Sequence, residues 1–376
     1  MKKNRKKSLI IFIVFFVFLL LTYFALYYIY VNFVIPSKGI SQYEATEIKS
    51  TDNYSSAQNT LSDGISISDM IEHVSKSVVG ISKFQNKSKS IFSSSSSSDV
   101  GTGTGIIVSD NGYVLSNYHV TGEKYSSCYI TLENGNSYDA KVVWADSDLD
   151  LAICKINAYG LTAMDLGDSD SIRAGDSVYA IGNPIGFEFK RTVTSGIISA
   201  TNRTIKLEEN NSVSYMTDLI QTDATINPGN SGGPLLLPNG KIIGITTVKI
   251  TSAEGIGFAV PINVVKPVIE SFKNSGTFEE AYIGISAYDS NVIPYLSSNS
   301  SNFTSGIYVV QISSSSPASS SNLQEGDIIN SVDGISVSTM SDLKEYIYTK
   351  KPNDIVTLNI SRGKISKDIS ITLAKK

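Results

Sequence analysis

The sequence has few of the residues that build metal centres or disulfide frameworks. Its 376 residues include two cysteines and two histidines. No CxxC or HExxH pattern occurs, so we expect no zinc site, no other metal and no cofactor. Cys128 and Cys154 lie in the apolar, strand-like runs CYITL and LAICKI. We predict two buried free thiols that pack as small hydrophobic side chains, with a disulfide between them as the alternative.

Basic charge is also scarce beyond the N-terminus. After residue 36 the chain has 26 basic and 35 acidic side chains. Basic side chains form no stripe with interleaved aromatic residues, so a nucleic-acid partner is not expected.

The first 36 residues predict a membrane anchor. Five basic side chains between Lys2 and Lys7 precede an uncharged apolar run from Leu9 to Ile35. A helix of about 20 apolar residues crosses a bilayer, whereas a secretory signal has a shorter core and a small-residue cleavage site. We therefore predict a single-pass anchor in the cell membrane over residues 1–36, with the N-terminus cytoplasmic and the remaining chain outside. A cleaved export signal is the alternative.

The remaining chain divides into three parts by composition. Residues 37–65 are polar and predict a flexible linker. Residues 66–272 predict a mostly β domain that opens with a helix over Ser68–Val79 and closes with a helix over Pro261–Phe272. Its strands are short and separated by turns, which indicates a β-barrel or sandwich. Residues 281–376 mix strands with a helix near Ser341–Tyr348 and predict a small α+β domain.

Three Asn-Gly pairs predict tight hairpins within the mostly β domain. They are Asn111-Gly112, Asn134-Gly135 and Asn239-Gly240. This dipeptide favours the type I′ turn, in which both central residues have positive φ.

The segment TDATINPGNSGGP, residues 222–234, surrounds Ser231 with glycine and proline. Glycine lets the main chain approach a ligand closely, and proline stiffens the loop. We expect the amides of Gly229 and Ser231 to converge on one point, where they could stabilise an oxyanion. A surface turn with an incidental serine is the alternative, so the partners of Ser231 decide between the two.

A serine nucleophile needs a general base and an acid that orients it. Of the two histidines, His73 lies on the polar face of the first helix, whereas His119 ends an apolar strand in VLSNYHV. Asp150 directly precedes the apolar strand LAICKI, while Asp146 and Asp148 are expected in an exposed connection. The order His119, Asp150, Ser231 is that of chymotrypsin-type proteases.

Several motifs together resemble the HtrA/Deg family of trypsin-like serine proteases. They are GTGTGIIVSDNGYVLSNYHV, DSDLDLAICKI, GDSVYAIGNPIGF, TVTSGIISA, TDATINPGNSGGPLL and GIGFAVP, in the order of the family. The resemblance implies a mostly β, chymotrypsin-like double barrel with the triad between two six-stranded barrels. It supports His119 as base, Asp150 as orienting acid and Ser231 as nucleophile. It also implies an oxyanion hole at Gly229, Asn230 and Ser231.

The same resemblance extends to specificity and to the C-terminal domain. It places Ile226, Thr246 and Val248 in an apolar S1 pocket, with Lys249 departing from the pattern of the family. Plain core packing is the alternative for Ile226. Residues 281–376 resemble the PDZ domain that follows such proteases, through YIGI, GIYVVQI, SPASSSNLQEGDIINSVDG and SDLKEYIYTK. This implies that C-terminal peptides bind beside the groove residues Ile283, Gly284, Ile285, Leu343 and Ile347. A packing domain that only shapes the oligomer is the alternative.

The combined features predict a membrane-anchored serine endopeptidase that degrades unfolded or damaged proteins outside the cytoplasm. The resemblance also implies a homotrimer or a larger assembly. Two other functions fit the same sequence. One is a chaperone or PDZ scaffold with a dormant protease site, and the other is a stress-sensor protease that cuts one dedicated signalling protein.

Overall fold

The computed structural model of the chain describes residues 20–24, 66–84, 100–183, 192–209, 212–247, 255–292, 295 and 305–376. Residues 1–57 and 58–376 form two separate units, and all the numbered helices and strands below belong to the second. Residues 20–24 are helical. The other residues of the predicted anchor and the predicted linker lie outside the described residues. Within the described ranges, no helix has both the length and the apolar character needed to cross a bilayer.

The first barrel is a closed sheet of six antiparallel strands in the order β1-β2-β3-β6-β5-β4. Helix α1 (Ile67–Ser75) precedes it and ends earlier than predicted, because Val78 and Val79 already pair with β2. A short helix, α2 (Tyr118–Thr121), follows β3. The strands are β1 Val78–Phe84, β2 Val100–Ile107, β3 Tyr113–Ser116, β4 Ser127–Thr131, β5 Ser137–Asp146 and β6 Leu151–Ile156.

The second barrel repeats this arrangement with the order β10-β11-β12-β9-β8-β7. The predicted double barrel is therefore confirmed, with one apolar cluster shared between the barrels through residues such as Leu115, Leu151 and Ile245. The strands are β7 Ser177–Gly182, β8 Thr192–Glu209, β9 Ser212–Thr222, β10 Pro234–Leu236, β11 Ile242–Thr247 and β12 Gly257–Pro261.

The three Asn-Gly hairpins form where predicted, but the predicted turn type is wrong. Gly112, Gly135 and Gly240 have φ of +97°, +87° and +79°, whereas none of the preceding asparagines has a positive φ. The asparagine side chains bond locally instead. The Oδ1 atom of Asn134 accepts the N–H of residue 136, and that of Asn239 accepts the N–H of residue 241. These Asx turns hold the asparagines outside the left-handed region.

The closing helix of the double barrel, α3 (Lys266–Ser275), begins later than predicted. Pro261 belongs to β12 and pairs with Gly244, and a 3-10 turn over Asn263–Val265 leads into the helix. Pro267 lies in the first helical turn, where backbone N–H groups have no acceptor within the helix. The missing N–H of proline therefore costs no helical hydrogen bond, and Pro267 does not kink the helix. Gly276, with φ +73°, ends it.

The C-terminal domain has its own apolar core and the predicted α+β composition. Its main sheet has the order β14-β15-β16-β18-β19, with β17 paired to β16 and a separate β13-β20 pair. Helix α4 (Met340–Tyr348) starts with a capping box between Thr339 and Asp342. The strands are β13 Ala281–Tyr282, β14 Ile285–Asp289, β15 Ile307–Ile312, β16 Ile328–Val332, β17 Ile335–Ser336, β18 Ile355–Arg362, β19 Ile365–Thr372 and β20 Ala374–Lys375.

The two cysteines lie within the apolar cluster of the first barrel. Cys128 on β4 and Cys154 on β6 are buried free thiols with their Sγ atoms 3.9 Å apart. The prediction that they pack as small hydrophobic side chains is confirmed.

Candidate active site

The three predicted catalytic residues come from three separate connections of the double barrel. His119 lies in α2, just after β3, and Asp150 lies in the turn before β6. Ser231 lies in the loop between β9 and β10 of the second barrel. The triad therefore draws one residue from the second barrel and two from the first.

His119 and Asp150 are in direct contact. The Nδ1 atom of His119 lies 2.8 Å and 3.0 Å from the two carboxylate oxygens of Asp150. The Asp150 side chain is fully buried, whereas that of His119 is 32% exposed. The backbone N–H of His119 donates to the same carboxylate at 3.0 Å. An ionised carboxylate can only accept, so Nδ1 carries the proton and Nε2 is left as the acceptor that a general base needs.

Thr247 supports this pair and was missed by the sequence reasoning. Its Oγ1 donates to Asp150 Oδ2 at 3.1 Å, although the two residues are 97 positions apart. The backbone of Asp150 is held as well, since its carbonyl oxygen accepts the N–H of Tyr118 and the side-chain amide of Asn117. The φ of Asp150, +54°, lies in the left-handed region, which Asp tolerates better than most residues. No local sequence signal marks Thr247, because only the folded barrel brings it to Asp150.

The loop before Ser231 is a tight turn whose geometry follows from its proline and glycine. The Asn230 N–H donates to the Asn227 carbonyl at 2.9 Å, and Gly229 has φ +105°. A hydrogen-bonded turn with proline second and a positive φ in third place is a type II turn. The Asn230 N–H is bonded inside this turn and is not available to an oxyanion. Of the three predicted donors, the amides of Gly229 and Ser231 are therefore the candidates that remain.

The glycine after the nucleophile is required by close approach. Gly232 has φ +81°, and a Cβ there would lie 2.2 Å from the Ser116 hydroxyl and 2.2 Å from the Thr104 carbonyl oxygen. Only a residue without a side chain lets this loop lie directly on β2 and β3 of the first barrel. The glycine-rich composition around Ser231 therefore reflects contact between the two barrels and not a surface turn.

The three predicted S1 residues have different environments. Thr246 is fully buried, and its hydroxyl donates to the Asn230 carbonyl oxygen at 2.6 Å, with the Gly233 carbonyl oxygen as a second, longer acceptor at 3.1 Å. It therefore supports the nucleophile loop. Ile226 is half-buried against the apolar cluster of the second barrel. Val248 and Lys249 lie outside the described residues, so the apolar S1 pocket stays a prediction.

The predicted peptide groove of the C-terminal domain lies between β14 and α4. Gly284 has φ +86°, and its carbonyl oxygen accepts the N–H of Ser313. Ile283 is buried and Ile285 packs partly against the domain core. Leu343 and Ile347 are 3% and 6% exposed and belong to that core. The α4 residues that line the neighbouring cavity of about 390 Å³ are instead Met340, Ser341 and Lys344.

That cavity is shared with the double barrel. Leu207, Tyr215 and Met216 from β8 and β9 line one side, and β14 and α4 line the other. The cavity thus lies where the C-terminal domain meets the second barrel.

Asp146 joins the two domains, and its predicted exposure is wrong. It is 3% exposed, and its Oδ2 accepts from Lys344 Nζ at 2.7 Å and from the Tyr348 hydroxyl at 2.6 Å. Burial alone would raise the pKa of Asp146, but the Lys344 ammonium and the Tyr348 hydroxyl bring it down to about 2. Both partners lie about 200 positions away, so nothing near Asp146 in the sequence indicates them. Asp148, in contrast, has a side chain that is 83% exposed, as predicted.

A second aspartate at this boundary has the opposite environment. Asp218 on β9 is partly buried, and its side chain bonds the Ser341 hydroxyl. Burial, together with the carboxylates of Asp342, Asp289 and Asp170, raises its pKa to about 7. Its folded-state pKa therefore exceeds the ordinary value of about 3.9. Such a carboxyl group costs stability as the pH rises from about 4 to about 7.

We therefore expect Asp218→Asn to stabilise the protein at pH 8 by about 2–4 kcal/mol. Asn keeps the size of the side chain and tolerates the left-handed backbone of residue 218, which has φ +62°. Urea unfolding at pH 8, 6 and 4.5 measures the effect, and the advantage should shrink as the pH falls. Asp139→Asn, at an exposed position on β5, is the control. Equal stability of Asp218→Asn and wild type at pH 8 would contradict the interpretation.

Comparison with known proteins agrees with this geometry. The profile of the trypsin-like peptidase domain matches residues 103–245, and the PDZ domain profile matches residues 242–373. The fold and these matches define a trypsin-like serine peptidase with a C-terminal PDZ domain.

Similar full-length proteins identify the family. The chain is 40% identical over 320 residues to the serine protease Do-like HtrA of Bacillus subtilis, covering 80% of this chain and 71% of the relative. It is 34% identical over 374 residues to the serine protease Do-like HtrB of the same organism, covering 91% and 79%. A solved structure of the HtrA-type protease AlgW with a tripeptide is 31% identical, with a TM-score of 0.60, and covers 83% of this chain and 98% of that one. The chain belongs to the HtrA/Do-like family of serine proteases, as the motifs predicted.

Proposed function

We propose that this protein is a membrane-anchored serine endopeptidase that degrades unfolded or damaged proteins outside the cytoplasm. The observation that carries the proposal is the contact of His119 Nδ1 with a fully buried carboxylate, at 2.8 Å from Asp150 Oδ2. The serine-bearing loop with its type II turn supports the same chemistry. In this proposal Ser231 is the nucleophile, His119 the general base and Asp150 the group that orients the base.

Acylation follows from these positions. Ser231 Oγ attacks the scissile carbonyl carbon while His119 Nε2 takes the hydroxyl proton. Asp150 keeps the other ring nitrogen protonated and stabilises the imidazolium that forms. The amides of Gly229 and Ser231 donate to the oxygen as negative charge develops on it, which is often the largest single contribution to catalysis.

Collapse of the tetrahedral intermediate completes the first half-reaction. The imidazolium of His119 returns its proton to the leaving amine, and the acyl group stays on Ser231 as an ester. A water molecule, deprotonated by the same imidazole, then attacks the ester carbonyl carbon. The second tetrahedral intermediate collapses, the imidazolium returns its proton to Ser231 Oγ, and the acid product is released. Both halves use one base and one oxyanion hole.

The PDZ domain supplies a second binding site for peptide chains. PDZ domains bind an extended peptide as an added strand and hold its terminal carboxylate on backbone amides. We propose that the groove beside β14 and α4 binds the C-termini of substrates or of regulators. The predicted apolar pocket beside Ile226 would favour Val, Ile or Ala before the cleaved bond, with modest discrimination of about 1–3 kcal/mol between neighbouring sizes.

The anchor and the assembly complete the proposal. The apolar run from Leu9 to Ile35 would tether the protease to the outer face of the cell membrane. Homotrimer formation through the protease domains is the proposed oligomeric state. Carbonate extraction tests the tether, because release of the full-length protein from membranes would exclude a spanning segment.

Digestion of casein, an unfolded substrate, tests the activity. The wild-type protein should degrade casein and several unrelated unfolded proteins, and their folded counterparts should resist. Suppression of client aggregation without any cleavage would favour the chaperone or scaffold function instead. Cleavage confined to one folded signalling protein would favour the sensor function.

A further inference from the structure

We infer that Thr104 is a positioning residue that holds the oxyanion hole in its active shape, an inference that rests on the proposed function. Thr104 lies on β2 of the first barrel and is fully buried. The mechanism above assigns it no part in the transfer of protons or of the acyl group. Besides its pairing with Gly80 of β1, it bonds the backbone on either side of the nucleophile, the backbone of Asn183 and the Ser116 side chain of β3.

The Thr104 hydroxyl bridges two backbone groups of the second barrel. Its Oγ1 donates to the Gly229 carbonyl oxygen at 2.5 Å and accepts the Asn183 N–H at 2.8 Å. A threonine hydroxyl has one proton to donate, so these partners fix the direction of that proton. A valine of the same shape would leave both backbone groups without this partner.

The backbone of Thr104 adds two further contacts. Its N–H donates to the Ser231 carbonyl oxygen at 2.8 Å. Its carbonyl oxygen accepts the Ser116 hydroxyl at 2.7 Å, and Ser116 ends the strand that leads to His119. Thr104 thus bonds the carbonyl oxygens of Gly229 and Ser231 to β2 and β3, and β3 leads to His119.

The position of the Gly229 carbonyl matters because the central peptide of a turn that contains glycine can rotate. Type I and type II turns differ by a rotation of the central peptide by about 180°. In the turn Asn227–Asn230 this peptide carries the Gly229 N–H, which is one of the two proposed donors to the oxyanion. The hydrogen bond from Thr104 and the turn bond from Asn230 hold the next peptide in place. Gly229 therefore keeps its φ of +105°, and its N–H stays directed out of the turn.

A neighbouring residue offers a matched control. Thr102 lies two positions earlier on the same strand, and its buried Oγ1 has no hydrogen-bond partner in the part of the chain that the structure describes. Thr102→Val and Thr104→Val make the same chemical change on the same face of one strand. They differ in whether the lost hydroxyl reaches the Gly229 carbonyl.

The test compares Thr104→Val, Thr104→Ser and Thr102→Val in the full-length protein. With a peptide substrate and concentrations corrected by active-site titration, Thr104→Val should lower kcat by about 10- to 100-fold, while KM changes little. Affinity for a peptide aldehyde, which forms a tetrahedral adduct, should fall in parallel. Thr104→Ser should restore most of the activity, and Thr102→Val should resemble wild type. The pH profile should keep its midpoint in all variants, because His119 and Asp150 are untouched.

Several results would overturn the inference. They are wild-type kcat in Thr104→Val, equal losses in both valine variants, a failure of Thr104→Ser to rescue, or a shifted pH midpoint. If Thr104→Val does not fold, Thr104→Ala takes its place under the same criteria. If the wild-type protein shows no hydrolysis that depends on Ser231, the proposed function itself is refuted. The two failures are therefore distinguishable.

Discussion

Replacing Ser231 with Ala is expected to lower kcat/KM for peptide hydrolysis by about four to six orders of magnitude. The alanine variant keeps the backbone amides and the His119–Asp150 pair, but it has no oxygen to form the acyl-enzyme. Ser231 is 5% exposed and its loop lies on the first barrel, so removal of one hydroxyl should leave the fold intact. Hydrolysis of a fluorogenic peptide with an apolar residue before the cleaved bond measures the loss.

The control for this variant is Ser177→Ala. Ser177 begins β7 of the same barrel and is exposed. It should retain wild-type activity, and both variants should unfold at the wild-type temperature. Ser231→Ala with more than about a hundredth of wild-type activity would contradict the assignment of the nucleophile, because nucleophile removal leaves far less than that.

Asp150→Asn is expected to lower kcat by about 10⁴-fold with little effect on the fold. Among the described residues, three groups bond the Asp150 carboxylate and all are donors: His119 Nδ1, the His119 N–H and the Thr247 hydroxyl. An asparagine must direct its NH₂ group at one of them. If it faces the ring, Nδ1 becomes the acceptor and Nε2 carries the proton, which is the wrong tautomer for a general base.

Asp148→Asn is the control for that variant. Its carboxylate is two positions away on the same connection and is largely exposed, so the change should leave kcat within about twofold of wild type. Steady-state kinetics of both variants at neutral pH measure the contrast. A loss below tenfold in Asp150→Asn would indicate that another group orients His119.

The residues that act within short motifs could be predicted from the sequence. His119, Asp150 and Ser231 each lie in a short contiguous motif. The short strands and turns indicated only a β-barrel or sandwich, and the double barrel was implied by the resemblance of these motifs to the HtrA/Deg family. The hairpin positions needed only the dipeptides. The turn type did not follow, because Asn134 and Asn239 bond the backbone locally and Asn111 accepts the Ser109 hydroxyl, and these bonds compete with the type I′ geometry.

The residues that act across the fold could not be predicted in this way. Thr104 and Thr247 bond groups 125 and 97 positions away. Asp146 looked like part of an exposed connection until its partners on α4 were known. Each of these side chains is ordinary in its own segment, and its role depends on strand register and domain packing. The sequence indicates the catalytic groups themselves, and the structure shows which residues hold them in position.

Two carboxylates at the boundary between the barrels and the PDZ domain make the stability depend on pH in opposite directions. The Asp146–Lys344 pair should stabilise the folded protein above pH about 4, and its contribution should decline as the pH falls toward 2, because the folded-state pKa of Asp146 is depressed. Asp218 has the reverse dependence. The boundary between barrel and PDZ domain therefore responds to acid at two different carboxylates.

The most direct test of the account is the site of covalent modification by a fluorophosphonate, which phosphonylates an activated serine with loss of fluoride and does not modify ordinary serines. The full-length protein should take up one probe per chain, and peptide mass spectrometry should place it on Ser231. Labelling should disappear in Ser231→Ala and slow greatly in Asp150→Asn. An adduct on another serine, or no adduct on a folded protein, would contradict the central claim that Ser231 is the nucleophile.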